Sequence, residues 1–197
     1  MELTDRFTEA LVFATELHAT QRRKVSGEPY LSHLLAVTAT VLRHGREEDE
    51  AIAALLHDAV EDQGGRPTLE KIRRRFGDRV AAIVEGCTDA DTVPKPPWRQ
   101  RKEAYVAHLG EADASVRLVS AADKLHNARS ILLDFHTLGD RVWDRFRGGR
   151  DGTLWYLRNV VDALTAVEST PLVEELDRVV GELERAAGMG FASQPQT

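Results

Sequence analysis

Cysteine is almost missing from this chain of 197 residues: Cys87 stands alone, so no internal disulfide can form. That single thiol reads as a small buried hydrophobe. Long hydrophobic runs are missing too. None approaches the roughly 20 residues that a membrane helix needs. The opening MELTDRFTEALVF has an early acid and no basic stretch ahead of an apolar one, so it does not read as a signal peptide. These absences favour the cytoplasm and exclude a membrane partner. An excess of basic charge is also lacking. The net charge is −6 and the isoelectric point about 5.7, which argues against a dedicated nucleic-acid binder. Strand-like alternation is absent, and no segment repeats.

What is present is helical periodicity nearly throughout. Residues 4–20 carry Phe7, Leu11, Phe13, Ala14 and Leu17 on one side, with Thr4 placed to cap the helix. VSGEPY (25–30) is a turn, in which Pro29 restricts Glu28. Helices are expected over 31–45, closed by Gly45, and over 47–62, where acids fill the first turn as the helix dipole prefers. Further helices are expected over 68–77, opening at Thr68, and over 78–89. ADTVPKPPW (90–98) holds three prolines and is a loop. Helices resume from 99 to about 110, over 114–135, through a glycine-rich turn at 145–167, and over 171–187. The fold class is all-α, a compact single-domain helical bundle over residues 1–187, with 188–197 expected to be a disordered tail.

The chemistry concentrates in one short stretch. In ALLHDAVED, apolar residues run up to His57, Asp58, Glu61 and Asp62. Adjacent helical residues point about 100° apart, so His57 and Asp58 reach one ion only if other helices contribute. His33, just inside the apolar helix YLSHLLAV, and Asp123, directly after Ala121-Ala122 in an apolar run, are suited to this. A carboxylate in such a helix is costly unless it is paired or binds metal. Two imidazoles and two carboxylates suit Mn²⁺, Fe²⁺ or Zn²⁺, and such an ion turns water into a nucleophile near neutral pH. In a continuous helix Glu61 shares a face with His57, and Asp62 with Asp58. Both can then orient that water or take its proton. His18, His44, His108, His126 and His136 receive no ligand role.

Several segments together resemble one family. QRRKVSGEPYLSHLLAV (21–37), IAALLHDAVEDQ (52–63), FGDRVAAIVEGCTD (76–89) and ADKLHNARSI (122–131) are similar to the hydrolase domain of the RelA/SpoT family, within the HD-domain phosphohydrolases. The resemblance covers nearly all of residues 1–165. It implies that His33, His57, Asp58 and Asp123 ligate a divalent metal, usually Mn²⁺, and that Glu61 and Asp62 assist the water. It implies a small-molecule substrate, guanosine 3′,5′-bis(diphosphate) or the corresponding triphosphate, cleaved at its 3′-pyrophosphate to GDP or GTP plus pyrophosphate. Arg23, Lys24 and Asn127 then fall near the nucleoside and diphosphate. Lys95 and Arg101 would reach the 5′-phosphates. Arg147, Arg150 and Tyr156 match further phosphate and sugar contacts, although the Gly148-Gly149 turn departs from the family pattern. No region resembles the synthetase, TGS or ACT domains of the long members, so hydrolysis without synthesis is expected. An adenosine analogue, another nucleotide or NADPH is the rival substrate, and a non-catalytic nucleotide sensor the rival role. Oligomeric state is left open.

Overall fold

The computed structural model describes residues 1–90 and 94–188. Their elements are α1 (Asp5–Leu17), α2 (Leu31–His44), α3 (Glu48–Leu56), α4 (Ala59–Asp62), α5 (Arg66–Phe76), α6 (Asp78–Cys87), α7 (Trp98–Leu109), α8 (Ala114–Leu138), a 3₁₀ helix (Gly139–Arg145), α9 (Gly149–Val167) and α10 (Pro171–Gly188). Among the described residues there is no strand, only an isolated bridge between Arg22 and Pro29. No helix among them is long and apolar enough to cross a membrane. The all-α reading therefore holds. The expected tail falls outside the described residues except Gly188, which ends α10.

Two helices form the floor of the molecule. In α3 every residue from Ala51 to Leu56 is fully buried. α8 is buried on several faces, from Val119 through Leu125 and Ala128 to Phe135. A helix that is apolar on several sides belongs inside. Its small central residues, Ser120, Ala121, Ala122 and Ala128, let α2, α3, α6 and α10 lie close against it. The N-terminus of α3 is tied to α8 by one side chain. Glu50 accepts from the backbone N–H groups of Arg46 and Glu47 and from the Ser115 hydroxyl at 2.9 Å, so a buried carboxylate is fully hydrogen-bonded.

Thr4 caps α1 as its sequence position suggests. Its hydroxyl oxygen accepts from the Arg6 N–H at 3.3 Å, and its own O–H donates to Glu48 at 2.9 Å. Thr4→Ala is expected to cost about 1 kcal/mol, read as a lower urea midpoint with an unchanged denaturant slope.

Two boundaries differ from the sequence reading. α5 begins at Arg66 rather than Thr68, because Gly65 enters at φ 63° and Pro67 sits in the first turn, where its missing N–H costs nothing. The single helix expected over 47–62 is broken at His57-Asp58 into α3 and the short α4. At the other side, Trp98 at the start of α7 lies against the Gly148 turn. A Cβ on Gly148 would come within 2.7 Å of the indole, and Gly149 follows at φ 58°. Gly148 thus makes room for the aromatic that seats α7, and Gly149 supplies the left-handed turn.

Candidate metal centre

The break in the 47–62 helix is what assembles the site. His57 keeps helical dihedrals at φ −60°, ψ −32°, and the turn opens at Asp58, at φ −94°, ψ −3°. The two adjacent side chains converge on a point off the helix edge, where α2 and α8 supply the other groups. His57 Nε2 lies 3.1 Å from Asp58 Oδ2 and 3.7 Å from Asp123 Oδ1. His33 Nε2, from α2, lies 3.4 Å from Asp58 Oδ2 and 3.3 Å from Asp123 Oδ1. His33, His57 and Asp58 offer ligand atoms that all lie within 4.8 Å of one another. Asp123 reaches the same imidazoles from α8.

Hydrogen bonding fixes the tautomer of His57. Its Nδ1 is 2.8 Å from the Ala54 carbonyl oxygen. A carbonyl only accepts, so Nδ1 carries the proton and the Nε2 lone pair faces the carboxylates. Both Nε2 atoms, of His33 and His57, are buried and have no hydrogen-bond partner. Two lone pairs pointed at two carboxylates repel unless a cation sits among them. Ligand atoms about 2.1 Å from one ion lie roughly 3.0–3.4 Å apart, close to the separations found here. The residues present therefore fit a divalent metal.

The charges agree. Burial opposes the His57 imidazolium, but where no cation lies among them Asp58 and Asp123 outweigh it and hold its pKa well above the ordinary value, so a proton competes with a metal for Nε2. Burial also works against the Asp58 and Asp123 carboxylates. The nearby His57 and His33 imidazoles depress Asp58 regardless, and Lys124 leads the groups that depress Asp123. The field of this pocket favours positive charge between the histidines.

Supporting groups surround the centre, several of which the sequence alone did not single out. Tyr30 donates its hydroxyl to Asp58 Oδ2 at 2.6 Å. His126 brings its Nδ1 to 2.8 Å from His33 Nδ1. Burial first, then the neighbouring His33, lowers the His126 pKa to about 4, so it is neutral and its Nδ1 can accept a hydrogen bond from the His33 Nδ1–H. Asn127 donates to Asp123 and accepts from Arg23 at 3.0 Å, and the Arg23 guanidinium lies 5.8 Å from the Tyr30 ring centre. These partners orient the residues around the site. The signal available for His126 was its spacing, three residues after Asp123 and so one helical turn along.

Asp62 stays one helical turn from Asp58, its N–H bonded to the Asp58 carbonyl oxygen at 3.0 Å, and the two carboxylate residues of α4 turn to different partners. On α4, Glu61 turns to Lys95 Nζ at 2.9 Å, with Arg101 at 3.8 Å. Asp62 stands at the rim and accepts from Gln21 Nε2 at 2.8 Å. Burial raises both pKa values, followed by the Asp89 charge for Glu61 and the Asp58 charge for Asp62. Arg101 is 7% exposed and bonded to Asp89 at 2.6 Å, so its guanidinium is committed to that carboxylate. Tyr156 is equally buried, its ring between the ammonium groups of Lys102 and Lys124. Lys24, Arg147 and Arg150 are exposed, and Arg150 pairs with its neighbour Asp151 at 3.9 Å. The Cys87 thiol lies against Val116 and Ser120 and is pushed up to about 11 by burial.

Residues 10–154 match the HD domain family. The chain belongs to that family. Within it, the chain is of the RelA/SpoT hydrolase type. It is 41% identical over 126 residues to the Xenopus tropicalis guanosine-3′,5′-bis(diphosphate) 3′-pyrophosphohydrolase MESH1, spanning 62% of this chain and 68% of that protein. The human MESH1 is 39% identical over 127 residues, with the same two shares. Among solved structures, this HD domain superimposes on a metazoan ortholog of SpoT that hydrolyzes ppGpp and plays a role in starvation responses. The TM-score is 0.77 and the identity 26%, over 92% of this chain and 97% of that one. A Listeria monocytogenes protein, lmo0812, gives a TM-score of 0.69 at 30% identity, over 78% of this chain and 99% of its own.

Proposed function

We propose that this chain is a metal-dependent 3′-pyrophosphohydrolase that converts guanosine 3′,5′-bis(diphosphate) and its triphosphate counterpart to GDP or GTP plus pyrophosphate. The observation that carries the reading is the pair of buried, unpartnered Nε2 atoms of His33 and His57 facing Asp58 and Asp123. It stands in a chain whose relatives bear that activity in their names. His33, His57, Asp58 and Asp123 would hold the cation, for which Mn²⁺ is our assignment. When bound, the cation lowers the pKa of a water toward neutrality and offsets charge on a phosphoryl oxygen.

The remaining steps fall to side chains of the chain. Glu61 and Asp62, with raised proton affinity, take the proton as the water oxygen bonds to phosphorus. The P–O3′ bond breaks, and the proton taken from the water passes on to the departing 3′ oxygen, leaving GDP or GTP and pyrophosphate. Lys95 keeps Glu61 ionised and oriented and stands ready for a phosphate. Arg23, clamped between Tyr30 and Asn127, presents a planar guanidinium to the nucleoside side, with Lys24 beside it as a point charge. Arg147 and Arg150 supply outer cations. Arg101 and Tyr156, being buried, act by holding the wall of the pocket rather than by touching phosphate.

The test is pyrophosphate release from guanosine 3′,5′-bis(diphosphate), with GDP as co-product. The rate with Mn²⁺ is expected to exceed that with chelator by at least about 100-fold. Release from the adenosine analogue alone would keep the chemistry and reassign the base. Release that survives chelation would refute the reading.

A further inference from the structure

Gln21 lies just beyond α1, in the segment that also carries Arg23 and Tyr30. Its side chain is held at both ends. Oε1 accepts from His18 Nδ1 at 2.7 Å and from Gln63 Nε2. Nε2 donates to Asp62 Oδ2 at 2.8 Å. The arrangement fixes which way the amide points. A flipped amide would set its oxygen against the Asp62 carboxylate and its NH₂ against the Gln63 NH₂.

The anchor is itself rigid. The His18 ring is 2% exposed and stacks on Tyr30 at 5.3 Å and 17°. The Gln21 backbone N–H donates to His18 O at 3.0 Å, and its carbonyl accepts the Tyr30 N–H at 2.9 Å. Tyr30 in turn donates to Asp58. One short segment thus grips both ends of the Asp58–Asp62 stretch, at Asp58 through Tyr30 and at Asp62 through Gln21. α4, only one turn long, has little of its own to hold it.

We propose that Gln21 is a positioning residue for the hydrolysis, its amide holding the Asp62 carboxylate in the orientation that receives the proton of the attacking water. This rests on the role given to Asp62 above. The bond draws a rim-exposed side chain, which would otherwise sample several rotamers, into one. His18 and Gln63 contribute by fixing the amide rather than by touching Asp62.

Gln21→Glu is nearly isosteric. It can keep an oxygen toward His18 and Gln63, and it sets an acceptor instead of a donor against Asp62. With guanosine 3′,5′-bis(diphosphate) and Mn²⁺, kcat is expected to fall by about 10-fold or more, while KM and the calorimetric affinity for Mn²⁺ stay within about twofold. Gln63→Met leaves the His18 donor in place and is expected to lower kcat by less than about threefold. If Gln21→Glu does not fold, Gln21→Met, of similar length and without the donor, carries the same expectation. Wild-type kcat in the Gln21 variant overturns the proposal. So does a fall in kcat matched by an equal loss of Mn²⁺ affinity, which would make Gln21 part of the general scaffold. The wild type is the control for the substrate. If it turns over only the adenosine analogue, the base assignment fails, and the Gln21 comparison is read on that compound.

Discussion

Asp58→Ala is expected to abolish pyrophosphate release, lowering it by at least about 10³-fold, and to remove the stabilisation that Mn²⁺ gives the folded chain. Asp58 faces both imidazoles at once, at 3.1 and 3.4 Å, and leads the groups that hold positive charge at His57. Without it the two Nε2 lone pairs meet a single carboxylate, and a divalent ion loses one ligand and one neutralising charge. In the wild type, Mn²⁺ at 100 times its dissociation constant should stabilise the fold by about 2.7 kcal/mol. The variant should show no rise in thermal midpoint at the same concentration. The side chain is 21% exposed, so truncation leaves no cavity in the core, and the fold is expected to survive in the absence of metal. Asp58→Asn separates charge from shape. Its amide oxygen still accepts from Tyr30, yet metal-linked stabilisation should be lost nearly as completely. Wild-type turnover in Asp58→Ala, together with a retained Mn²⁺ shift, would remove Asp58 from the metal set.

The helices were legible because their signals are local. Thr4 caps α1, Gly45 follows α2, and acids open α3. The residues gathered at the metal centre were legible for a different reason. His33 and Asp123 are polar groups in strongly apolar helices, and a buried charge advertises a partner. The break between α3 and α4 was not legible. No glycine or proline marks it, and helix propensity runs straight through ALLHDAVED. It is a small departure, centred on Asp58 at φ −94°, ψ −3°, that local propensity does not encode. The same limit applies to Arg101 and Tyr156. Sequence shows a cation and an aromatic near the expected phosphates, but not that Asp89 already claims the first and that the second is walled in by Trp98, Tyr105 and two lysines. Gln21 and His126 carry no charge that would draw notice, and their roles appear only with their partners in place.

Loss of Asp89 should cost the fold heavily. Its side chain is 4% exposed and accepts from Arg101 and from Lys102, each at 2.6 Å. Burial works against the charge of Asp89, yet Lys102 leads the cations that lower its pKa below the ordinary carboxylate range. Lys102 also lies within the field of Lys124, so truncating Asp89 leaves Lys102 without its carboxylate beside a second ammonium and leaves Arg101 with the more distant Glu61. Removing one partner of a buried ion pair costs about 3–5 kcal/mol, a large part of the roughly 5–15 kcal/mol that holds a domain together. Asp89→Ala should therefore lower the thermal midpoint by about 6–20 °C and shift the urea midpoint at constant slope. The cause can be isolated. If the damage is unpaired charge rather than lost packing, Asp89→Ala combined with Arg101→Met and Lys102→Met should regain most of the lost stability. The site should also respond, because Asp89 is the first charge acting to raise the Glu61 pKa. Removing it frees Arg101, now 3.8 Å from Glu61, to bind that carboxylate and lower its proton affinity, and kcat should fall further than the loss of folded protein explains. A stability within about 0.5 kcal/mol of wild type, with no gain in the triple variant, would show that the three charges are not coupled.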